Sequence, residues 1–145
     1  MASALITGGT SGIGHAFAVE FASRGTDLVL VARDADRLEK VAAELRETHG
    51  VEVETISADL AVRDDVMRVA DRIEDPARPI DWLINNAGFG LHSTVLDRSE
   101  IDIQARAFDV MCLAVLILGG AAGRAMRARG SGRIVFDDSA TAEIY

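Results

Sequence analysis

The chain has 145 residues, 49% apolar and 26% charged, with a formal net charge of −8. This length and balance suit one folded domain with a real hydrophobic core, not a disordered chain. The acidic surplus argues against non-specific binding to nucleic acid or to an anionic membrane, because both want a basic surface. Cys112 is the single cysteine, which excludes an internal disulfide and a cysteine-rich metal site and suits a reducing cytoplasm. Met1-Ala-Ser-Ala runs straight into an apolar strand without a basic leader, which argues against a secretory signal. The longest uncharged run, Val110 to Gly123, falls short of the ~20 residues of a membrane span and reads as a buried helix.

Ala4-Leu5-Ile6 predicts a first strand. A glycine-rich turn, Thr7-Gly8-Gly9-Thr10-Ser11-Gly12-Ile13-Gly14, follows it. The next stretch is helical, with Ile13, Ala16, Phe17 and Phe21 on one face. Asp27 to Ala32 is a second strand, apolar enough to be covered on both sides. Asp34 or Asp36 can cap the next helix, whose apolar stripe is Leu38, Val41, Ala42 and Leu45. Gly50 stands where a left-handed stop belongs. Val51 to Ile56 alternates as an edge strand does, and Val66, Val69, Ala70 and Ile73 mark a third helix. Pro76 and Pro79 break the chain before a fourth strand, Ile80 to Ile84. A loop with Gly90 and Ser93 leads to a long helix, with Met111, Val115, Leu118 and Ala122 expected on one face. Arg124, Arg127 and Arg129 crowd its last turn, favourable to the helix dipole. Arg133 to Phe136 is a fifth strand. Strands alternating with helices predict an α/β fold with a doubly wound parallel sheet.

A glycine turn between a strand and a helix is built to hold a diphosphate. Bare backbone approaches the phosphates closely, and the amides and positive dipole end of the helix meet the charge. The spacing Gly8-x-x-x-Gly12-x-Gly14 is not the G-x-G-x-x-G fingerprint. It resembles the TGxxxGxG motif of the short-chain dehydrogenase/reductase family. Asp59-Leu60, after the third strand, and Asn86-Ala87-Gly88, after the fourth, are similar to further motifs of that family. All three lie at carboxyl ends of strands, the edge where open α/β sheets bind ligands.

The resemblance implies a Rossmann-type sheet in the order 3-2-1-4-5, helices on both faces, and a nicotinamide dinucleotide in the cleft. It implies that Gly8, Thr10, Ser11, Gly12, Ile13 and Gly14 hold the pyrophosphate. Asp59 would accept from the adenine edge, beside Leu60. Asn86, Ala87 and Gly88 would stabilise the sheet and line the cleft. Asp59 equally suits a cap on the third helix. Arg33 follows the second strand, where a carboxylate would take a ribose 2′-hydroxyl and an arginine a 2′-phosphate. Ala32 leaves the acidic position empty and Arg33 offers a phosphate fork, so NADP(H) is favoured over NAD(H).

Members of the family reduce carbonyls with a serine, a tyrosine and a lysine, and usually an asparagine on the long helix. Tyrosine moves the substrate proton, lysine lowers its pKa, and serine orients the oxygen. Ser139 matches that serine, although Phe136-Asp137-Asp138 replaces the usual Asn-x-Ser, and Ala142 a glycine. Met111 stands at the asparagine position and reads best as helix core. Asp137 and Asp138 could pair as acid and base, but read better as a solvated turn after a strand. No Tyr-x-x-x-Lys occurs: Tyr145 follows Ser139 by six residues, about half the family spacing, and is assigned no role. Cys112 is expected to be a buried, inert thiol. His15, His49 and His92 share no ligand spacing, so no metal site is expected.

The reading is a single, incomplete NADP(H)-binding domain over residues 1–145, the cofactor half of an oxidoreductase acting on a small carbonyl or alcohol substrate. As it stands, it is expected to bind cofactor weakly or not at all, and not to turn over. A dimer or tetramer of the complete protein, a cytoplasmic setting, and no nucleic-acid or membrane partner complete it. The alternative is a non-catalytic nucleotide-binding or interaction protein that has lost its active-site tyrosine and lysine.

Overall fold

The computed structural model describes residues 2–89 and 96–137. Gly90, His92, Ser93, Asp138, Ser139, Ala142 and Tyr145 lie outside them. The chain alternates β1 (Ser3–Thr7), α1 (Gly12–Ser23), β2 (Asp27–Ala32), α2 (Ala35–His49), β3 (Val53–Ser57), α3 (Arg63–Glu74) and β4 (Trp82–Asn85). A short 3-10 turn, Arg98–Glu100, then opens α4 (Ile101–Phe108). A π-helical turn, Asp109–Leu113, joins α4 to α5 (Ala114–Arg129), and β5 (Arg133–Phe136) closes the series.

The five strands form one parallel sheet in the order β3-β2-β1-β4-β5. Leu5 sits between Val29 and Leu83 in register, at the centre of the sheet. Residues alternate across it. Ala4, Ile6, Leu28, Leu30 and Ile84 face one core with α1 and α2. Leu5, Val29, Val31 and Leu83 face the other, with α3 and α5. Each fully buried leucine contributes roughly 1.5–3 kcal/mol, and helices on both faces leave little room for a polar residue in the middle strands.

Local chemistry explains the helices. Asp34 caps α2 by accepting from the Arg37 amide at 3.0 Å. Gly50 ends it at φ 68°, where its amide meets the Arg46 carbonyl. The stripes Leu38-Val41-Ala42-Leu45 and Val66-Val69-Ala70-Ile73 are both buried. Gly130 stops α5 at φ 80°.

On two helices the buried line is not the apolar line named from sequence, although Leu118 and Ala122 of α5 are buried in both. On α1 the buried line is Gly14, Ala18 and Ala22, while Ile13 is 47% exposed and Ala16 is exposed. The helix starts against its own loop, so only small side chains fit between it and the sheet. Phe17 and Phe21 move to the flank, where the Phe21 ring meets Trp82 edge-on at 5.3 Å. On α5 the buried line is Ala114, Leu118, Ala121, Ala122 and Met126. The inner line Ala107, Val110, Ala114, Leu118 and Ala121 keeps ordinary helical spacing and lies one residue round from the expected Met111 and Val115, which are half-buried.

Residues 98–129 are the one helical stretch among the described residues long and apolar enough to cross a bilayer. Their inner line packs on the sheet with α3, as in a core helix. Outside, Phe108 and Leu116 stand 65% and 71% exposed.

Candidate functional site

The carboxyl ends of β1, β2, β3 and β4 meet along one cleft. Two cavities make it up, of about 460 and 530 Å3. Gly8, Ser11, Ala87 and Gly88 border both. The first also takes in Thr10, Arg33, Asp59 and Leu60. Gly12, Ile13 and Asn86 line the second. Gly14 lies under the loop.

The glycines differ in purpose. Gly8 has φ 67°, and a Cβ there would stand 2.9 Å from Asn86 Nδ2. A Cβ on Gly14 would stand 2.2 Å from the Gly8 carbonyl oxygen and 2.3 Å from Asn86 Nδ2, so only glycine lets α1 press against its loop. Gly12 has φ 55° and open space around the missing Cβ, which leaves room for a ligand at the helix start. Ser11, the N-cap, makes no side-chain cap, and the first turn holds no acidic residue. The amides of that turn and their positive dipole end stand at the cleft wall, a ready anion site.

A buried hydrogen-bond set holds the loop in place. Thr7 Oγ1 accepts from the amides of Asn86 and Ala87, each at 3.0 Å. Asn86 Nδ2 donates to the carbonyls of Thr7 at 3.1 Å and Gly8 at 3.3 Å. The Gly8 amide donates to the Val31 carbonyl at 2.8 Å. Beside them Asn85 is 4% exposed, and its Nδ2 lacks a partner among the described residues.

At the first cavity, Ala32 ends β2 without a carboxylate. Arg33 and Arg37 both border the space. Neither guanidinium enters a hydrogen bond or ion pair among the described residues. Asp34 is committed to capping α2.

Asp59 does not cap α3, whose N-cap is Val62. It forms a turn instead, its Oδ1 accepting from the Ala61 amide at 3.0 Å. Arg106 of α4 donates through Nη2 to Oδ1 at 2.8 Å and to Oδ2 at 2.7 Å. Partial burial is the largest single influence on the Asp59 carboxyl and pushes it up. The Arg106 hydrogen bond, the Ala61 amide and the charges of Arg106 and Arg33 outweigh it, so Asp59 titrates below its ordinary value. It is ionised at neutral pH, and the ion pair is lost only as pH falls through that lowered value.

At the second cavity the π turn brings Met111 and Cys112 to the wall. Cys112 is an exposed free thiol, not the buried one expected, because it lies off the buried line of Val110 and Ala114. A soft alkylating reagent should label Cys112 in the native protein. Labelling should stop in Cys112→Ser and slow with NADPH bound; a native thiol that stays unlabelled would refute its exposure. Asp137 is half-buried, its amide donating to the Asn85 carbonyl at 3.0 Å. Among the described residues no cluster of three or more His, Cys, Asp or Glu could hold a metal.

Thr7, Arg37 and Arg106 were not singled out from sequence. Thr7 carries a local signal, a hydroxyl at the end of an apolar strand. Arg106 carries none, since its partner lies 47 positions away.

Residues 2–144 match the short chain dehydrogenase family. The chain belongs to this oxidoreductase family. A short chain dehydrogenase of Pseudocercospora fijiensis is 30% identical over 141 residues, 97% of this chain and 45% of that protein. A short-chain dehydrogenase from Sphingobium yanoikuyae, solved with NADPH, superposes with a TM-score of 0.88 at 40% identity, over 94% of this chain and 52% of that one. L-Sorbose reductase from Gluconobacter frateurii, solved with NADPH and L-sorbose, gives 0.85 at 36% identity, over 93% and 51%. The chain spans about half the length of these relatives.

Proposed function

We propose that residues 1–145 form the NADP(H)-binding part of an enzyme that moves a hydride between the nicotinamide and a small carbonyl or alcohol substrate. The nicotinamide, when bound, supplies or accepts the hydride. The first turn of α1 with Gly8, Thr10, Ser11, Gly12 and Ile13 would hold the pyrophosphate, and Gly14 keeps that loop in shape. Asp59 and Leu60 border the adenine. Asn86, Ala87 and Gly88 form the floor toward the nicotinamide. Ser139 would orient the substrate oxygen.

One observation carries the NADP(H) preference. Beyond the end of β2, Arg33 and, in the first turn of α2, Arg37 border the cavity with guanidiniums unpaired among the described residues, where a ribose-binding carboxylate would otherwise stand. The NADPH found in two of the similar structures supports it. A titration of the protein with NADPH and NADH tests it. NADPH should bind tighter by about tenfold or more, the worth of a charge-assisted hydrogen bond, and Arg33→Ala should remove most of that margin. Tighter NADH binding by the unaltered protein would overturn the assignment.

The exposed Ile101, Phe108 and Leu116 of α4 and α5 fit a homodimer or homotetramer seam in the cytoplasm. Met111 favours a second reading, a nucleotide-binding protein without catalysis, because a thioether cannot carry a water relay. Turnover of carbonyl substrates with NADPH by the chain together with the Tyr-x-x-x-Lys segment that its relatives' length implies separates the two.

A further inference from the structure

We propose that Arg106 is a positioning residue for base recognition, holding the Asp59 carboxylate so that its one remaining acceptor site selects a base with an exocyclic amine. This rests on the nucleotide reading above. An ionised carboxylate has about four acceptor sites. On Asp59, Oδ1 takes the Ala61 amide and Arg106 Nη2, and Oδ2 takes the same Nη2. One acceptor site is left, on Oδ2. The main chain below is pinned as well, since the Asp59 amide donates to Asp65 Oδ2 at 2.8 Å. The carboxylate therefore has little freedom to turn.

Both residues border the first cavity beside Arg33. Their side chains keep about a third of their surface, 29% for Asp59 and 34% for Arg106, so the pair is held by the fold yet open to a ligand. A fixed, ionised acceptor can only receive. Adenine offers an amine at its six position, whereas a base with a carbonyl there offers a second acceptor and is repelled. Arg106 has a second effect. It neutralises a carboxylate that would otherwise repel an anionic nucleotide.

The test compares dissociation constants for NADPH and for its reduced hypoxanthine analogue, read by nicotinamide fluorescence. The unaltered protein should favour the adenine form by about tenfold or more. Arg106→Met should weaken both ligands and bring their ratio within about threefold, while the NADPH-to-NADH ratio set by Arg33 stays put. Arg106→Lys, which keeps the charge but on a shorter, more flexible side chain than the one that places Nη2 between the two oxygens, should keep most of the affinity and lose part of the base preference. Asp59→Asn, whose amide nitrogen would stand donor to donor against Arg106 Nη2 at the Oδ2 position, should weaken both ligands and lose the preference for the adenine form.

A purely structural Arg106 would lower both affinities and leave the base ratio unchanged, and that result overturns the proposal. So does NADPH binding by the unaltered protein without base preference. Failure to bind either dinucleotide would be a different result. It would refute the nucleotide reading itself and take this assignment with it.

Discussion

Gly14→Ala should destabilise the protein by about 3 kcal/mol, an overpacking cost, and abolish NADPH binding. Helix propensity points the other way, because alanine in place of a helical glycine ordinarily gains about 1 kcal/mol. Packing decides the sign. The new Cβ would lie 2.2 Å from the Gly8 carbonyl oxygen and 2.3 Å from Asn86 Nδ2. The first is backbone, and the second is held by two carbonyls, so neither yields without moving the loop. Gly12→Ala is the control. It meets no atom within 4 Å, but it forces a residue with a side chain into φ 55°, a strain of roughly 1–2 kcal/mol. Its methyl would occupy the space left for the ligand, so binding should fall with a much smaller loss of stability. Thermal melts with NADPH titrations check both. A Gly14→Ala protein that melts with the wild type and binds NADPH would sink the idea that this glycine is a contact surface between loop and helix.

The order of elements was legible because each strand and helix announces itself locally. Leu28 to Ala32 is an uninterrupted apolar run, and with Asp27 before it the predicted strand is β2 to the residue. Asp34, Gly50 and the Leu38 and Val66 stripes act within one turn of chain, so spacing alone finds them. The buried faces of α1 and α5 were not legible, for two different reasons. On α1, the distance to the sheet decides which residues go inward. That distance is set by Gly8 and Gly14, not by hydrophobicity, and it favours small side chains over the larger Ile13, Phe17 and Phe21. On α5, the run from Val110 to Ala122 is apolar nearly all round, so two neighbouring stripes both have helical spacing, and only packing on the sheet and α3 selects the one through Val110 and Ala114. Cys112 was misplaced for the same reason. The cleft residues named by motif come together because strand ends in a parallel sheet share one edge. The Asp59–Arg106 pair joins α4 to the end of β3, and only the fold brings those two together.

Thr7→Val should cost about 2–4 kcal/mol, with Thr7→Ser near 1 kcal/mol. Valine matches threonine in shape, so no cavity forms. What changes is that two amides lose their acceptor. Thr7 is 1% exposed, and its hydroxyl oxygen accepts from both Asn86 and Ala87 while donating weakly to the Ile84 carbonyl at 3.4 Å. Water cannot replace it at that depth, and each stranded donor loses roughly 1–3 kcal/mol. Serine keeps the oxygen and gives up only a methyl group. The consequence should reach the cleft, because Ala87 borders both of its cavities. Thr7→Val should therefore weaken NADPH binding even at temperatures where the protein remains folded, and Thr7→Ser should not. Urea unfolding with an unchanged slope and a lowered midpoint is the expected signature of the valine variant. Equal midpoints for the valine and serine variants would show that the hydroxyl carries no such duty, and that the loop is held by shape alone.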